Sequence, residues 1–237
     1  GGCHAEEEAA GEAEGRQEED APVREGGDSA VGVYFGVEDG WVRVSRVNLR
    51  LAVLGESSSF MDVTSAVSAK SKFINFEDEI EYFQIRNPPD LYDWQYSVKA
   101  LSCLCPKRRG EDVLLVLVSV PIENNYILKR IGDSRLVLTT FEIGDTLSGA
   151  NVSISNLILR MSYAASLMRI CNIDILSAGA DWTEYSHVET RGCIFDMTPH
   201  KYDIHKSCVA PIICSECEER LVRRGVSNNV IRMVRKN

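Results

Sequence analysis

The chain has 237 residues, 44% of them hydrophobic and 26% charged, with a formal net charge of -9. That suffices for one sizeable core, with or without a small appended module, and makes a second large domain unnecessary. Residues 1–28 carry ten acidic side chains against Arg16 and Arg24, so nearly all of the charge sits there, and it says little about the partner of the remainder.

Residues 1–29 are rich in Glu, Ala and Gly and contain no aromatic residue. Such a segment cannot bury enough apolar surface to offset its ordering entropy, which predicts a disordered acidic tail. From Val31 onward, strand and helix signals alternate. WVRVSRVNLRLAVL (41–54) has apolar residues at a period of two with a slip at Ser45–Arg46, predicting one strand, bulged or bent. FINFEDEIEYFQI (73–85) is mixed and weaker as a strand. In DLYDWQYSVKALSCLC (90–105), Leu91, Trp94, Val98, Leu101 and Cys105 fall at helical spacing, predicting a helix with Asp90 as N-cap.

DVLLVLVSVPI (112–122) is a nearly unbroken apolar run, the pattern of a strand buried on both faces. RLVLTTFEI (135–143) reads as a second strand. SISNLILRMSYAASLMRI (153–170), opened by Ser153 or Ser155, is apolar almost all round and so predicts a helix packed deep against the sheet. Farther on, CSECEERLVRRG reads as a short helix stopped by Gly225, and SNNVIRMVRKN as another opened by Ser227. The expected fold class is therefore α/β (α+β): a mixed sheet from 41–54, 73–85, 112–122 and 135–143, backed by helices 90–105 and 153–170. The expected domains are the tail 1–29, a core 30–186, and a C-terminal module 187–237 of zinc site and basic helices.

The chemistry is concentrated in that module. His187-x5-Cys193-x20-Cys214-x2-Cys217 offers two thiolates from one tight turn and two ligands from a separate segment, the requirement of a tetrahedral structural Zn2+ site. Of the other cysteines, Cys3 lies in the tail, Cys103 and Cys105 are too close to bridge easily, and Cys103, Cys105 and Cys171 read as core or helix-end residues. No run of about 18 apolar residues and no charged-then-apolar leader is present. No membrane association is expected, and a reducing, cytoplasmic location fits the cysteine usage.

On these residues the chain resembles the archaemetzincins, a group of zinc metalloprotease-like proteins. Their catalytic helix is followed by a site of four cysteines, spaced Cys-x4-Cys, a gap of somewhat under twenty residues, then Cys-x2-Cys. The strands 112–122 and 135–143, the helix 153–170, and then GCIFDM and PIICSECEERL resemble that arrangement over about residues 110–222. The resemblance implies a metzincin-like fold and a structural zinc held by Cys193, Cys214 and Cys217. The family's second cysteine falls at Thr198, so the fourth ligand comes from elsewhere, His187 first, with His200 and Cys208 as alternatives.

A metzincin active site is HExxH, two imidazoles on one helix face with a Glu that activates the zinc-bound water. The histidines here are His4, His187, His200 and His205, with no pair four apart. His200 and His205 would stand ~140° from each other on a helix. A metzincin-like fold with these residues has lost the catalytic zinc and kept the structural one, which makes a non-catalytic protein acting through protein contacts the leading expectation.

Two alternatives stay open: a metal-dependent hydrolase using Asp196, Asp203 or His200, and a nucleic-acid-binding module. Asp196, just after a metal ligand, more often orients a neighbouring His or backbone group. Cys208 with His200 or His205 as base would be a thiol enzyme. The nucleic-acid reading rests on Arg220, Arg223, Arg224, Arg232, Arg235 and Lys236, set against Glu218 and Glu219, with no interleaved aromatic for base stacking. Neither GxxxxGK[ST] nor a strand-linked GxGxxG occurs, so no nucleotide is expected.

Overall fold

The computed structural model describes residues 33–37, 40–44, 46–55, 63–171, 176 and 185–235. The predicted tail, with Cys3 and His4, and the basic Lys236 lie outside the described residues. In chain order the elements are β1 (Val33–Val37), β2 (Gly40–Val44), β3 (Val47–Leu54), α1 (Thr64–Val67), β4 (Ile74–Phe76), β5 (Glu81–Phe83), α2 (Val98–Leu104), β6 (Val113–Val118), β7 (Leu128–Arg130), β8 (Arg135–Thr139), α3 (Gly144–Gly149), α4 (Ile154–Cys171), α5 (Ile204–Val209), α6 (Ser215–Arg223) and α7 (Asn228–Val234).

The six-stranded sheet runs β4-β3-β6-β8-β7, with β5 also pairing β3. All pairs are parallel except β7–β8, so the edge strand β7 runs against the rest. β6 is buried along its whole length because both faces are covered. Val113, Leu115 and Leu117 point into the cluster that contains α4, and Leu114, Val116 and Val118 into the one that contains α2. The architecture is α/β, a mixed sheet with helices on both faces.

Three predicted elements are corrected. The slip at Ser45–Arg46 separates two strands, for β2 pairs with β1 in a two-stranded sheet while β3 joins the main sheet. The predicted helix 90–105 is only α2: Tyr92 and Asp93 have φ of 51° and 61°, a left-handed conformation that no α-helix accommodates. Its N-cap is Ser97, which accepts from the Ala100 N–H at 3.0 Å. Asp90 acts one step earlier, accepting from the Ser97 N–H and hydroxyl at 2.8 and 2.5 Å. The strand predicted over 135–143 ends at Thr139, before Glu142 with φ of 61°. Cys103 is exposed on α2.

α4 begins at Ile154, where Ser153 Oγ accepts from the Ser155 N–H at 3.2 Å. It packs on β3, β4 and β6 on one side and on α1 and α5 on others. Residues 194–231 join the same apolar cluster through Ile194, Phe195, Ile204, Leu221 and Ile231. No helix among the described residues is long and apolar enough to cross a membrane.

Among the described residues Arg50 is the largest fully buried side chain, pointing from β3 into the face opposite α4. Its Nη1 lies 2.9 Å from Glu81 Oε1, its Nε donates to Glu111 Oε1 at 3.0 Å, and its Nη2 donates to the Lys107 carbonyl at 2.6 Å. Both partners are themselves held, Glu81 by Arg109 and Glu111 by the Arg109 N–H. The network ties β5 and the chain entering β6 to β3. Glu111→Ala would leave the buried guanidinium short of a partner and should lower stability by about 3–5 kcal/mol. Lys206→Ala, at the pair in which an exposed Lys206 meets a partly buried Asp203, should change it by less than about 1 kcal/mol. Urea denaturation of both variants checks this, and similar losses would contradict the assignment.

Candidate metal centre

Cys214 is the N-cap of α6, in extended conformation at φ -67° and ψ 161°. Cys217 follows in the first turn, so the two sulfurs leave one helix end together. The second pair of ligands lies on a strand-like segment. Cys193 bridges to Ile212 and His187 to Asp196, with the Ile194 N–H bonded to the Ile212 carbonyl at 2.9 Å and the Met197 N–H to the His187 carbonyl at 3.0 Å. Gly192, at φ +78°, turns the chain immediately before Cys193.

One ligand atom from each of His187, Cys193, Cys214 and Cys217 lies within 4.8 Å of all the others. His187 Nε2 and Cys214 Sγ are 3.5 Å apart, and the Cys214 N–H donates to Cys193 Sγ over 3.5 Å. A tetrahedron with metal–sulfur bonds of ~2.3 Å has edges of about 3.8 Å, so the four groups could hold a metal ion. The residues are buried except for Cys214, which is partly exposed.

The imidazole is oriented from behind. Its Nδ1 lies 2.8 Å from the Glu189 carbonyl and 3.3 Å from Asp196 Oδ1. An Nδ1–H donated to that carbonyl leaves the Nε2 lone pair facing the cysteines, as a ligand requires. Asp196 Oδ2 accepts from the Arg191 and Cys193 N–H groups, each at 3.0 Å, and so holds the turn that carries Cys193. Asp196 thus has the positioning geometry expected of it. Burial pushes its carboxyl up, opposed by the Arg191 N–H.

The thiols already share their protons unequally. A hydrogen bond donated by the Cys217 thiol, helped by N–H groups of Cys214 and Phe195, holds Cys193 below the ordinary thiol range. Cys217 is raised correspondingly, since losing its proton would place a second thiolate beside the first. A bound cation would replace that shared proton, because metal ligation deprotonates a coordinating thiol. Arg191 Nη1 stands 3.9 Å from Cys214 Sγ and 2.8 Å from Glu216, a cation at the rim of an anionic cluster.

The other candidates lie apart from this group. His200 stacks on Tyr202 with ring centroids 5.3 Å apart, and His205 Nδ1 faces the Tyr202 carbonyl at 2.7 Å. Asp203 pairs with Lys206 at 2.5 Å. Cys208 is buried in α5, and burial pushes its thiol up to about 11, the wrong direction for a nucleophile. Thr198 is buried and donates its hydroxyl to the Asp196 carbonyl at 3.3 Å.

Among the basic residues, Arg220 pairs with Glu216, and Arg235 bonds Glu218 at 2.7 Å and the Ile213 carbonyl at 2.8 Å. Arg224 lies over the Tyr185 ring, Arg232 bonds Asn228 and Asn229, and Arg223 is exposed. The residue that sequence reasoning missed is Arg160. From the middle of α4 it reaches across and donates Nη2–H to the Asp196 carbonyl at 2.8 Å. An arginine in the middle of a largely apolar helix, well away from the last-turn Arg169, was the available signal.

No family model matches the chain, and no curated protein does. Among solved structures, the chain is similar to archaemetzincin from Methanopyrus kandleri, at 14% identity and a TM-score of 0.44, over 75% of this chain and 96% of that one. It is also similar to archaemetzincin from Archaeoglobus fulgidus complexed with malonate, at 14% identity and a TM-score of 0.41, over 73% of this chain and 99% of that one.

Proposed function

We propose that His187, Cys193, Cys214 and Cys217 hold one structural zinc ion, and that the chain is a non-catalytic, metalloprotease-like protein acting through contacts with another protein. The observation that carries the reading is the closed donor set. One imidazole and three thiolates complete a tetrahedron, which leaves no position for water or substrate, the pattern of structural zinc. Bound there, the ion would cross-link the segment 187–197 to the start of α6. A reducing, cytoplasmic compartment suits three thiolate ligands.

Support for the non-catalytic part comes from α4. The residues that this helix turns toward the adjoining cavity are Arg160, Met161 and Ala164, and the helix contains neither His nor Glu. An HExxH constellation has no place to form on it. Support for protein contacts comes from β7, which among the described strands pairs only with β8. Its outer edge is a row of backbone donors and acceptors suited to an added strand. Tyr126 and Met197, 47% and 43% exposed, stand at the same cavity.

Mass-spectrometric metal analysis of protein purified without added metal should find one zinc per chain, with about three thiols released on chelation. A second metal would point to a catalytic site, and a metal-free chain would overturn the zinc assignment. Cys214→Ser should lose the ion. Because structural zinc contributes on the order of 10 kcal/mol in small modules, hydrogen exchange should rise through 185–235 and little in β3, β6 and β8. Unchanged metal content and protection would count against the site. Peptidase assays with and without added zinc should show no turnover, and activity that follows zinc addition would refute the non-catalytic reading.

A further inference from the structure

A cavity of about 350 Å³ lies between α4, β7 and the segment 194–198. Met161, Ala164, Ile194 and Phe195 give it an apolar wall, and Lys129, Arg130 and Arg160 border it as cations. Asp196 is its acidic neighbour, with Oδ2 already engaged by two backbone N–H groups and Oδ1 turned to His187.

Arg160 is 4% exposed, yet its bonds go to uncharged atoms, Nη2–H to the Asp196 carbonyl and Nη1–H to Met161 Sδ, both at 2.8 Å. Its Nε has no partner. Burial draws its pKa down from the ordinary guanidinium value, though arginine stays protonated in proteins. Asp196 and Cys193 act on it through space, but among the described residues no carboxylate is in ion-pair contact with it, whereas Arg50 has two; a buried charge without such a contact is strongly unfavourable. The guanidinium also borders a smaller cavity of about 190 Å³, but the further cation there, Arg235, is already paired with Glu218.

We infer that the larger cavity is a binding site for a carboxylate carried on an apolar body, with Arg160 receiving the carboxylate at its base and the apolar wall receiving the rest. The volume falls in the range of small-molecule sites. The inference goes beyond the proposed function and does not depend on the zinc assignment. Two sources share the chemistry, a free aromatic or aliphatic acid and the C-terminal carboxylate of a peptide.

The test uses the full chain as purified. Phenylacetate and phenylacetamide, and N-acetyl-leucyl-phenylalanine and its C-terminal amide, are titrated while the Met161 and Ala164 methyl resonances are followed. At least one acid should bind, with its amide at least about tenfold weaker, and Arg160→Gln should weaken the acid about thirtyfold or more. Preference for phenylacetate would identify a small acid, and preference for the dipeptide a chain terminus. Should Arg160→Gln fail to fold, the acid-to-amide contrast and Ala164→Leu, which narrows the apolar wall and should weaken the acid at least about tenfold, decide the matter. Equal binding of acid and amide, binding unaffected by these substitutions, or no binding of any of the four at millimolar concentration would overturn the inference.

Discussion

An α-helix that is apolar on every side has to be covered on every side, and in this protein that helix is α4. Thirteen of its eighteen residues are buried, including Ser155, Arg160, Ser162 and Ser166. The sheet covers one side through β3, β4 and β6. The other cover comes largely from 185–235, where the helices are short and the chain between them irregular. Such a layer has little secondary structure to hold it together. His187, Cys193, Cys214 and Cys217 converge where its two segments meet, and a metal ion held there, as proposed, would cross-link the outer cover of α4.

Two buried arginines show how differently the chain treats the same group. Arg50 is enclosed by Glu81, Glu111 and the Lys107 carbonyl, and its network fastens three parts of the sheet together. Arg160 receives only a backbone carbonyl and a thioether. The first is a structural tie, complete without help. The second leaves a positive charge beside a cavity, and through the Asp196 carbonyl it also touches the residue that arranges the turn of Cys193. One side chain therefore joins the cavity to the metal centre.

What could be read in advance follows the physics of each element. The run at 112–122 and the helix at 153–170 were legible because burial on all sides leaves an unbroken apolar signal that needs no partner to interpret. α6 and α7 were legible from local stop and start residues, Gly225 at φ +87° and Ser227 accepting from the Val230 N–H. β7 escaped notice because Leu128–Arg130 is a three-residue edge strand with two basic side chains, and only its pairing with β8 makes it a strand. The helix expected from Asp90 was shortened by Tyr92 and Asp93, whose left-handed conformations leave no mark in the apolar spacing.

By itself the sequence determined which segments must be buried, where the C-terminal helices begin and end, and that Cys214 and Cys217 share one turn, since each of these depends on residues near one another in the chain. The tertiary structure decided that the apparent strand 41–54 divides between two sheets, that His187 rather than His200 or Cys208 stands with the three cysteines, and that Arg160 has no carboxylate in ion-pair contact among the described residues. These outcomes depend on distances between residues far apart in sequence. No local pattern encodes them, because burial of a residue says that it has neighbours but not which ones.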